Sequence, residues 1–230
     1  MILEGKISDV FFDLDHTLWD FEKNSALAFN TILKKHTIDV AIEEFVALYV
    51  PINIKYWKLY QEDEVTQQEL RYGRLKDVFD LIKYEISDDL ITLLSEEYIH
   101  YLPQYNHLFE GTVELLEYLK PKYKLHIITN GFQEIQDNKL KNSNILHYFE
   151  TITNSENAGY KKPSPHIFHY ALDLANASRE TSIMVGDNFE ADIQGALNVG
   201  IDAIMFNEHA VEISQNIKQV NHLLDLKKYL

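Results

Sequence analysis

Four short apolar runs, each stopping abruptly at a cluster of small polar residues, constrain this chain more than any other feature. Ile7 to Phe12 ends in Asp13-Leu14-Asp15-His16-Thr17, Tyr123 to Ile128 in Thr129-Asn130-Gly131, Phe149 to Thr153 in a polar stretch, and Thr181 to Val185 in Gly186-Asp187-Asn188. Runs this short and this rich in β-formers read as strands buried on both faces, the signature of a parallel sheet. Ile201 to Phe206 makes a fifth candidate. Segments of helical period lie between them, one opened by Ser164 as N-cap with Pro165 at the first helical position. Alternating strands and helices predict a mostly parallel, doubly wound α/β sheet.

The rhythm breaks from roughly Asp20 to His107, where helical patterning continues without a buried strand. Thr66-Gln67-Gln68-Glu69 is a capping box, and Leu75, Val78, Phe79 and Ile82 fall on one helical face. Ser87 is placed to cap a helix on which Leu90, Leu93, Leu94 and Tyr98 share a stripe. The prediction is an α/β core of residues 1–18 and 108–230 carrying an inserted helical cap domain, 19–107.

Charge and composition narrow the function. Acidic residues outnumber basic ones 36 to 21, and the net charge of -15 disfavours a nucleic-acid polymer or an anionic membrane as partner. An anionic small molecule would have to meet local positive charge inside a site. No cysteine is present, so disulfides and thiolate metal centres are excluded. MILEGKISDV lacks the charged and apolar regions of a leader, and 18 consecutive apolar residues occur nowhere. The expectation is a soluble, cytoplasmic protein.

In open parallel sheets the ligand sits outside the carboxyl ends of the strands. Each polar cluster falls at such an end, so Asp13, Asp15, Thr129, Asp187 and Asp192 are predicted to gather in one crevice although far apart in sequence. Asp13 and Asp15 can divide the labour of displacement at phosphorus: one attacks, while the other protonates the leaving oxygen and later deprotonates water. A solvated turn would explain an isolated Asp-x-Asp equally well. Asp187 and Asp192, in Gly186-Asp187-Asn188-Phe189-Glu190-Ala191-Asp192, suit a hard cation such as Mg2+. Alternatively, Asp187 or Asn188 is a helix N-cap and Asp192 an exposed position in the first turns. Lys162 or Lys161, in Gly159-Tyr160-Lys161-Lys162-Pro163, is the candidate positive charge, Pro163 restraining the backbone of Lys162. Thr129 offers a hydroxyl to a phosphate, with main-chain N–H groups around Asn130 and Gly131 beside it, unless the tripeptide is simply a turn. The ten histidines show no metal-ligand spacing, and Arg71 and Arg74 read as a solvated helix face.

Taken together and in this order, DLDHTL, ITNG, GYKKPSP and GDNFEAD resemble the four motifs of the haloacid dehalogenase-like hydrolase superfamily. The resemblance covers essentially the whole chain and picks Lys162 over Lys161. It implies a Rossmann-like core with central strand order 5-4-1-2-3 and a helical cap inserted after the first motif. It also implies roles: Asp13 as nucleophile, Asp15 as acid/base, and Mg2+ held by Asp13, the Asp15 backbone carbonyl and Asp187. Thr129 and Asn130 would bind phosphate with Lys162, while Thr17 and Asp192 would support the site. HTLWDFEKNSALAF and ELRYGRL look like the branch of bacterial pyrimidine and non-standard nucleotide 5'-nucleotidases. Trp19, Phe21, Tyr56, Trp57, Tyr60 and Tyr72 could then stack on a base or equally well fill the cap core. The expected partner is a small phosphorylated metabolite, a nucleoside monophosphate, handled by a monomer or weak homo-oligomer.

Other readings remain at this point. A sugar-phosphate or phosphoglycolate phosphatase and a β-phosphoglucomutase-like enzyme share the motifs. A dehalogenase has no leaving oxygen to protonate, so Asp15 argues against it, and phosphonate cleavage would need a cap lysine such as Lys23. The non-enzyme alternative is a catalytically silent regulatory binding module that kept the fold, and retention of all four motifs weighs against it.

Overall fold

Six parallel strands form one sheet in the computed structural model, which describes residues 7–212 and 217–230. The first six residues, used above to argue against a leader, lie outside it. The strands are β1 (Asp9–Phe12), β2 (Lys124–Thr129), β3 (Phe149–Asn154), β4 (Ser182–Gly186), β5 (Asp202–Phe206) and β6 (Lys218–Val220). Their order is β3-β2-β1-β4-β5-β6, so the predicted 5-4-1-2-3 is present and extended at one edge. The sixth strand escaped the sequence reading because Lys218-Gln219-Val220 is short and mostly polar, as an edge strand tolerates.

Register places the site. Phe12 pairs with Ile127 of β2 on one side and Val185 of β4 on the other. The residues just beyond these positions, Asp13, Thr129 and Asp187, therefore leave the sheet at nearly the same level. β1 is central and wholly buried: Val10, Phe11 and Phe12 are apolar, and Asp9 at its start is bonded to His126.

The sequence-to-helix logic is clearest in α8 (Pro165–Ala175), which comes after α5 (Thr112–Leu119), α6 (Gln133–Asn142) and α7 (Ser155–Ala158) and before α9 (Gly195–Asn198). Ile167, Phe168, Ala171, Leu172 and Ala175 recur at helical spacing and pack with Phe11, Ile128, Met184 and Met205 of the sheet. Full burial of Ile167 or Phe168 is worth roughly 1.5–3 kcal/mol each. Pro165 sits at the first position as predicted, but Ser164 makes no side-chain capping bond, so the rigid ring sets this helix start without help from the hydroxyl.

The chain divides into two compact units, one of residues 1–21 and 106–230 and the other of Glu22–Tyr105. Within the first, the stretches flanking the insertion are tied together. Asp20 N–H donates to the His107 carbonyl at 3.1 Å, Phe109 N–H to the Leu18 carbonyl at 3.1 Å, and Trp19 forms an antiparallel bridge with Leu108.

The second unit is built on helices α1 (Phe21–Lys35), α2 (Ile42–Gln61), α3 (Gln67–Ile82) and α4 (Asp88–Tyr101). Thr66 and Glu69 form the predicted capping box, and Ser87 accepts from Leu90 N–H. Phe29 sits among Phe45, Tyr49 and Tyr98, with centroid distances of 4.9, 4.5 and 4.3 Å. Arg74 corrects the solvated-face reading. It is buried, donates to Asn53 Oδ1 at 2.8 Å, and lies over the rings of Tyr98 and Tyr49 at 5.0 and 5.7 Å. No helix among the described residues is long and apolar enough to cross a membrane.

Candidate active site

The loop after β1 is wound around a single carbonyl. Leu14 O accepts N–H bonds from Leu18 at 3.0 Å and Trp19 at 2.9 Å, and His16 N–H closes the turn onto Trp19 O at 3.0 Å. His16 takes a left-handed conformation with φ of 64°, which histidine tolerates better than branched residues do. This tight turn brings the Asp13 and Asp15 side chains out of one loop into two different surroundings.

Asp13 faces Lys162. The Lys162 ammonium is 2% exposed and donates to Asp13 Oδ1 at 2.5 Å, Asp192 Oδ1 at 2.6 Å and the Ile128 carbonyl at 2.7 Å, which uses all three of its protons. Burial works against this ammonium, but Asp13 and Asp192 outweigh it and hold its pKa above the usual lysine value. Lys161, by contrast, is only half-buried. The Lys162 main chain is clamped by the Asn130 side chain: Lys162 N–H donates to Asn130 Oδ1 at 2.7 Å, and Asn130 Nδ2 donates to Lys162 O at 3.0 Å. The Asn130 amide thus holds the lysine loop through Oδ1 and one of its two Nδ2 protons.

Asp192 lies in the π-helix Phe189–Gln194 and is 1% exposed, far from the solvated position that its place in the first helical turns suggests. Its second oxygen accepts from Asn188 N–H at 3.0 Å, while Asn188 Oδ1 caps the helix by accepting from Ala191 N–H at 2.9 Å. Gly186 makes this closeness possible, because a Cβ there would lie 2.3 Å from Asp192 Oδ2.

Ligand oxygens of Asp13, Asp187 and Asp192 all lie within 4.8 Å of one another. Burial, joined by the neighbouring carboxylates, pushes Asp13 well above the ordinary aspartate range; burial and Asp192 push Asp187 up to about 7, even though Thr17 Oγ1 donates to Asp187 Oδ1 at 3.2 Å. Three carboxylates against one ammonium leave an excess of negative charge out of water, which is costly unless a cation joins them. An all-oxygen donor set of this kind fits Mg2+. Asp192 is fully engaged by Lys162 and Asn188, so Asp13 and Asp187 are the side chains better placed to ligate.

Thr129, at the end of β2, accepts from Gly131 N–H at 3.1 Å and from Gln136 Nε2 at 2.8 Å. With both acceptor positions of the hydroxyl used, its own proton is left to donate, as phosphate binding requires. Gly131 N–H is turned inward onto Thr129, so the main-chain cradle expected around Gly131 is replaced here by a turn that orients the threonine.

Two residues that sequence reasoning missed complete the site. Asp15 Oδ2 accepts from Gln136 Nε2 at 2.8 Å, and Asp15 Oδ1 from Lys139 Nζ at 2.5 Å. Both come from α6, one turn apart, and both are buried. Their spacing of three places them on one helical face. A polar pair at that spacing immediately after the Thr129 turn was the available signal.

Residues 10–206 match the profile described as haloacid dehalogenase-like hydrolase. The chain is 34% identical to pyrimidine 5'-nucleotidase PynA of Streptococcus pneumoniae, over 88% of this chain and 85% of that one. It is 32% identical to the glyceraldehyde 3-phosphate phosphatase of Methanothermobacter thermautotrophicus, over 93% and 92%. The crystal structure of HAD-hydrolase YfnB from Bacillus subtilis, bound to magnesium, superposes with a TM-score of 0.88 at 27% identity and covers 97% of this chain and 98% of that one.

Proposed function

Because the chain belongs to the haloacid dehalogenase-like hydrolase family, we propose that it is a magnesium-dependent phosphomonoesterase that works through an aspartyl-phosphate on Asp13, with nucleoside 5'-monophosphates, pyrimidine forms first, as substrates. One observation carries the reading: the two carboxylates of the Asp13-Leu14-Asp15 loop have separate partners. Asp13 is bonded to Lys162 within an acidic cluster, while Asp15 is bonded to Gln136 and Lys139. Carboxylates placed side by side but in unlike environments are suited to unlike tasks.

An Asp13 oxygen attacks phosphorus in line with the ester oxygen, which departs as the Asp15 carboxyl supplies its proton. Asp15, now ionised, takes a proton from the water that attacks the phosphoenzyme, and Asp13 and inorganic phosphate are released. Lys162 holds the nucleophile in place and offsets charge as it develops on the transferring group. The Thr129 proton points a hydrogen bond at a phosphoryl oxygen. Asp13, Asp187 and the Asp15 carbonyl would hold Mg2+, which when bound neutralises the acidic cluster and lowers the repulsion between an anionic nucleophile and an anionic substrate. Asp192 steadies Lys162, and Thr17 steadies Asp187.

The nucleotidase step rests on the PynA relative, while the glyceraldehyde 3-phosphate phosphatase relative supports a sugar-phosphate reading of the same chemistry. Hydrolysis of p-nitrophenyl phosphate with Mg2+, its loss with chelator and its loss in Asp13→Asn test the mechanism. Comparing kcat/KM for uridine and thymidine monophosphates with glucose 6-phosphate, phosphoglycolate and glyceraldehyde 3-phosphate tests the substrate. A tenfold advantage for any of the last three would overturn the nucleotidase assignment and leave the phosphatase standing.

A further inference from the structure

We propose that Gln136 and Lys139 are positioning residues for the acid/base carboxylate, a brace on α6 that fixes both oxygens of Asp15 and couples one of them to the phosphate-binding hydroxyl. This rests on the role of Asp15 given above. A carboxylate two residues beyond the nucleophile, on a loop, can turn about its own bond, and a proton donor turned away from the ester oxygen contributes nothing. Here each oxygen is held by a different donor, so the carboxylate plane is set.

Lys139 is built for this purpose. It is 2% exposed, and its ammonium lies 4.3 Å from the centroid of the Trp19 ring and 5.3 Å from that of Phe21, so aromatic faces shield it while its charge is directed at Asp15. An ammonium kept this far from water is costly and persists where a partner of opposite charge needs it.

Gln136 adds the coupling. One nitrogen, Nε2, donates to both Asp15 Oδ2 and Thr129 Oγ1, each at 2.8 Å. The amide oxygen of the same side chain is buried without a partner. An unsatisfied buried acceptor is tolerated here because turning the amide to satisfy it would break both catalytic-side bonds. The chain also makes room for this geometry: a Cβ at Gly131 would fall 1.8 Å from Gln136 Nε2. Glycine at that point in the loop, the double donation and the buried lysine all converge on holding Asp15 and Thr129 in mutual register.

The test compares Lys139→Met, Gln136→Leu and Asp15→Asn across aryl phosphates of graded leaving-group pKa together with a nucleoside monophosphate, with Mg2+ saturating and circular dichroism confirming the fold. The expected result is that Lys139→Met lowers kcat about 10- to 100-fold for the nucleoside monophosphate, a fraction of the 10²- to 10⁴-fold worth of a general acid or base, and much less for p-nitrophenyl phosphate. Gln136→Leu should show the same split with a smaller kcat loss and an added rise in KM, because Thr129 loses a partner. Asp15→Asn combined with Lys139→Met should be no slower than Asp15→Asn alone, and Lys139→Arg should recover part of the loss. Uniform losses across the series in both α6 variants, or additive losses in the double variant, would overturn the brace while Asp15→Asn keeps its leaving-group dependence. If Asp15→Asn itself shows none, the acid/base reading fails first and takes the brace with it.

Discussion

Replacing Lys162 by methionine keeps the length and apolar stem of the side chain and removes only the ammonium, so the consequences can be worked from three contacts. Asp13 and Asp192 each lose a charge-assisted bond of 2.5–2.6 Å, and the Ile128 carbonyl loses a donor at 2.7 Å. Removing one partner of a buried ion pair costs about 3–5 kcal/mol, because the other charge is left uncompensated out of water. At about 2–4 °C per kcal/mol for a chain of this size, the melting temperature should fall by roughly 6–20 °C at pH 8 without added metal. The deficit should depend on pH with a definite sign. Asp13 already lies above its ordinary value through burial, and losing Lys162, which pulls it down, pushes it further up. The folded variant then binds more protons than its unfolded chain above about pH 4, so its stability rises as pH falls and the gap to the parent narrows toward pH 5. Activity should drop by about 10²- to 10³-fold, the usual worth of one fixed electrostatic contact to a developing charge. Differential scanning fluorimetry from pH 5 to 8, with Lys161→Met as control and steady-state kinetics alongside, measures all of it. A melting temperature within about 2 °C of the parent, or a deficit that does not change with pH, would refute the reasoning that Lys162 is what holds the acidic cluster together.

Three further outcomes are expected. Asp15→Asn should lose about 10²- to 10⁴-fold with nucleoside monophosphates and much less with good leaving groups; equal losses across a leaving-group series would assign Asp15 another purpose. Gly186→Ala should lower stability by about 1–3 kcal/mol and impair turnover as well, since the added methyl must displace Asp192 from a contact that would otherwise be 2.3 Å; an active, fully stable variant would show that Asp192 is not needed where it sits. His126 is buried on β2, bonded to Asp9 and Thr151, and burial holds its pKa below the usual 6.5 despite the Asp9 carboxylate, so below that pH the unfolded chain takes up a proton that the folded one resists. Stability should therefore be lost as pH falls through that region, and His126→Gln should flatten the acid side of the stability profile measured by denaturant titration.

The parallel sheet was readable because strands buried on both faces are mostly apolar, as β1, β2, β4 and β5 are, while β3 shows itself by its β-formers despite an exposed Glu150; each of the five predicted runs ends within a residue or two of the observed strand. β6 was not, since a three-residue edge strand with two polar side chains carries no such signature. The reactive cluster was partly readable for the same reason that the sheet was: Asp13, Thr129 and Asp187 follow strand ends whose register aligns them. Gln136 and Lys139 stayed hidden because polar residues inside a helix ordinarily face water, and only the approach of α6 to the Asp15 loop turns them inward. Arg74 misled in the same way, its charge suggesting solvent while aromatic rings enclose it. Asn130 shows a subtler limit. Its place beside Thr129 suggests a phosphate contact, but nothing local announces that its amide also clamps the backbone of a lysine 32 positions away.

The pairing of Leu18, Trp19 and Asp20 with Phe109, Leu108 and His107 has a consequence for how such an enzyme can be rebuilt. Because the chain departs and returns through stretches already bonded to each other, the core meets the insertion as a closed loop whose ends are fixed whatever lies between them. The entropy of closing a loop grows only logarithmically with its length, about 0.6 kcal/mol per doubling, so exchanging the insertion for a longer or shorter one barely changes what the sheet must bear. A graft that keeps Phe21 and is made between it and His107 should leave the Asp13 loop and the rings around Lys139 undisturbed, so the insertion can be exchanged at a single pair of splice points to measure what it contributes.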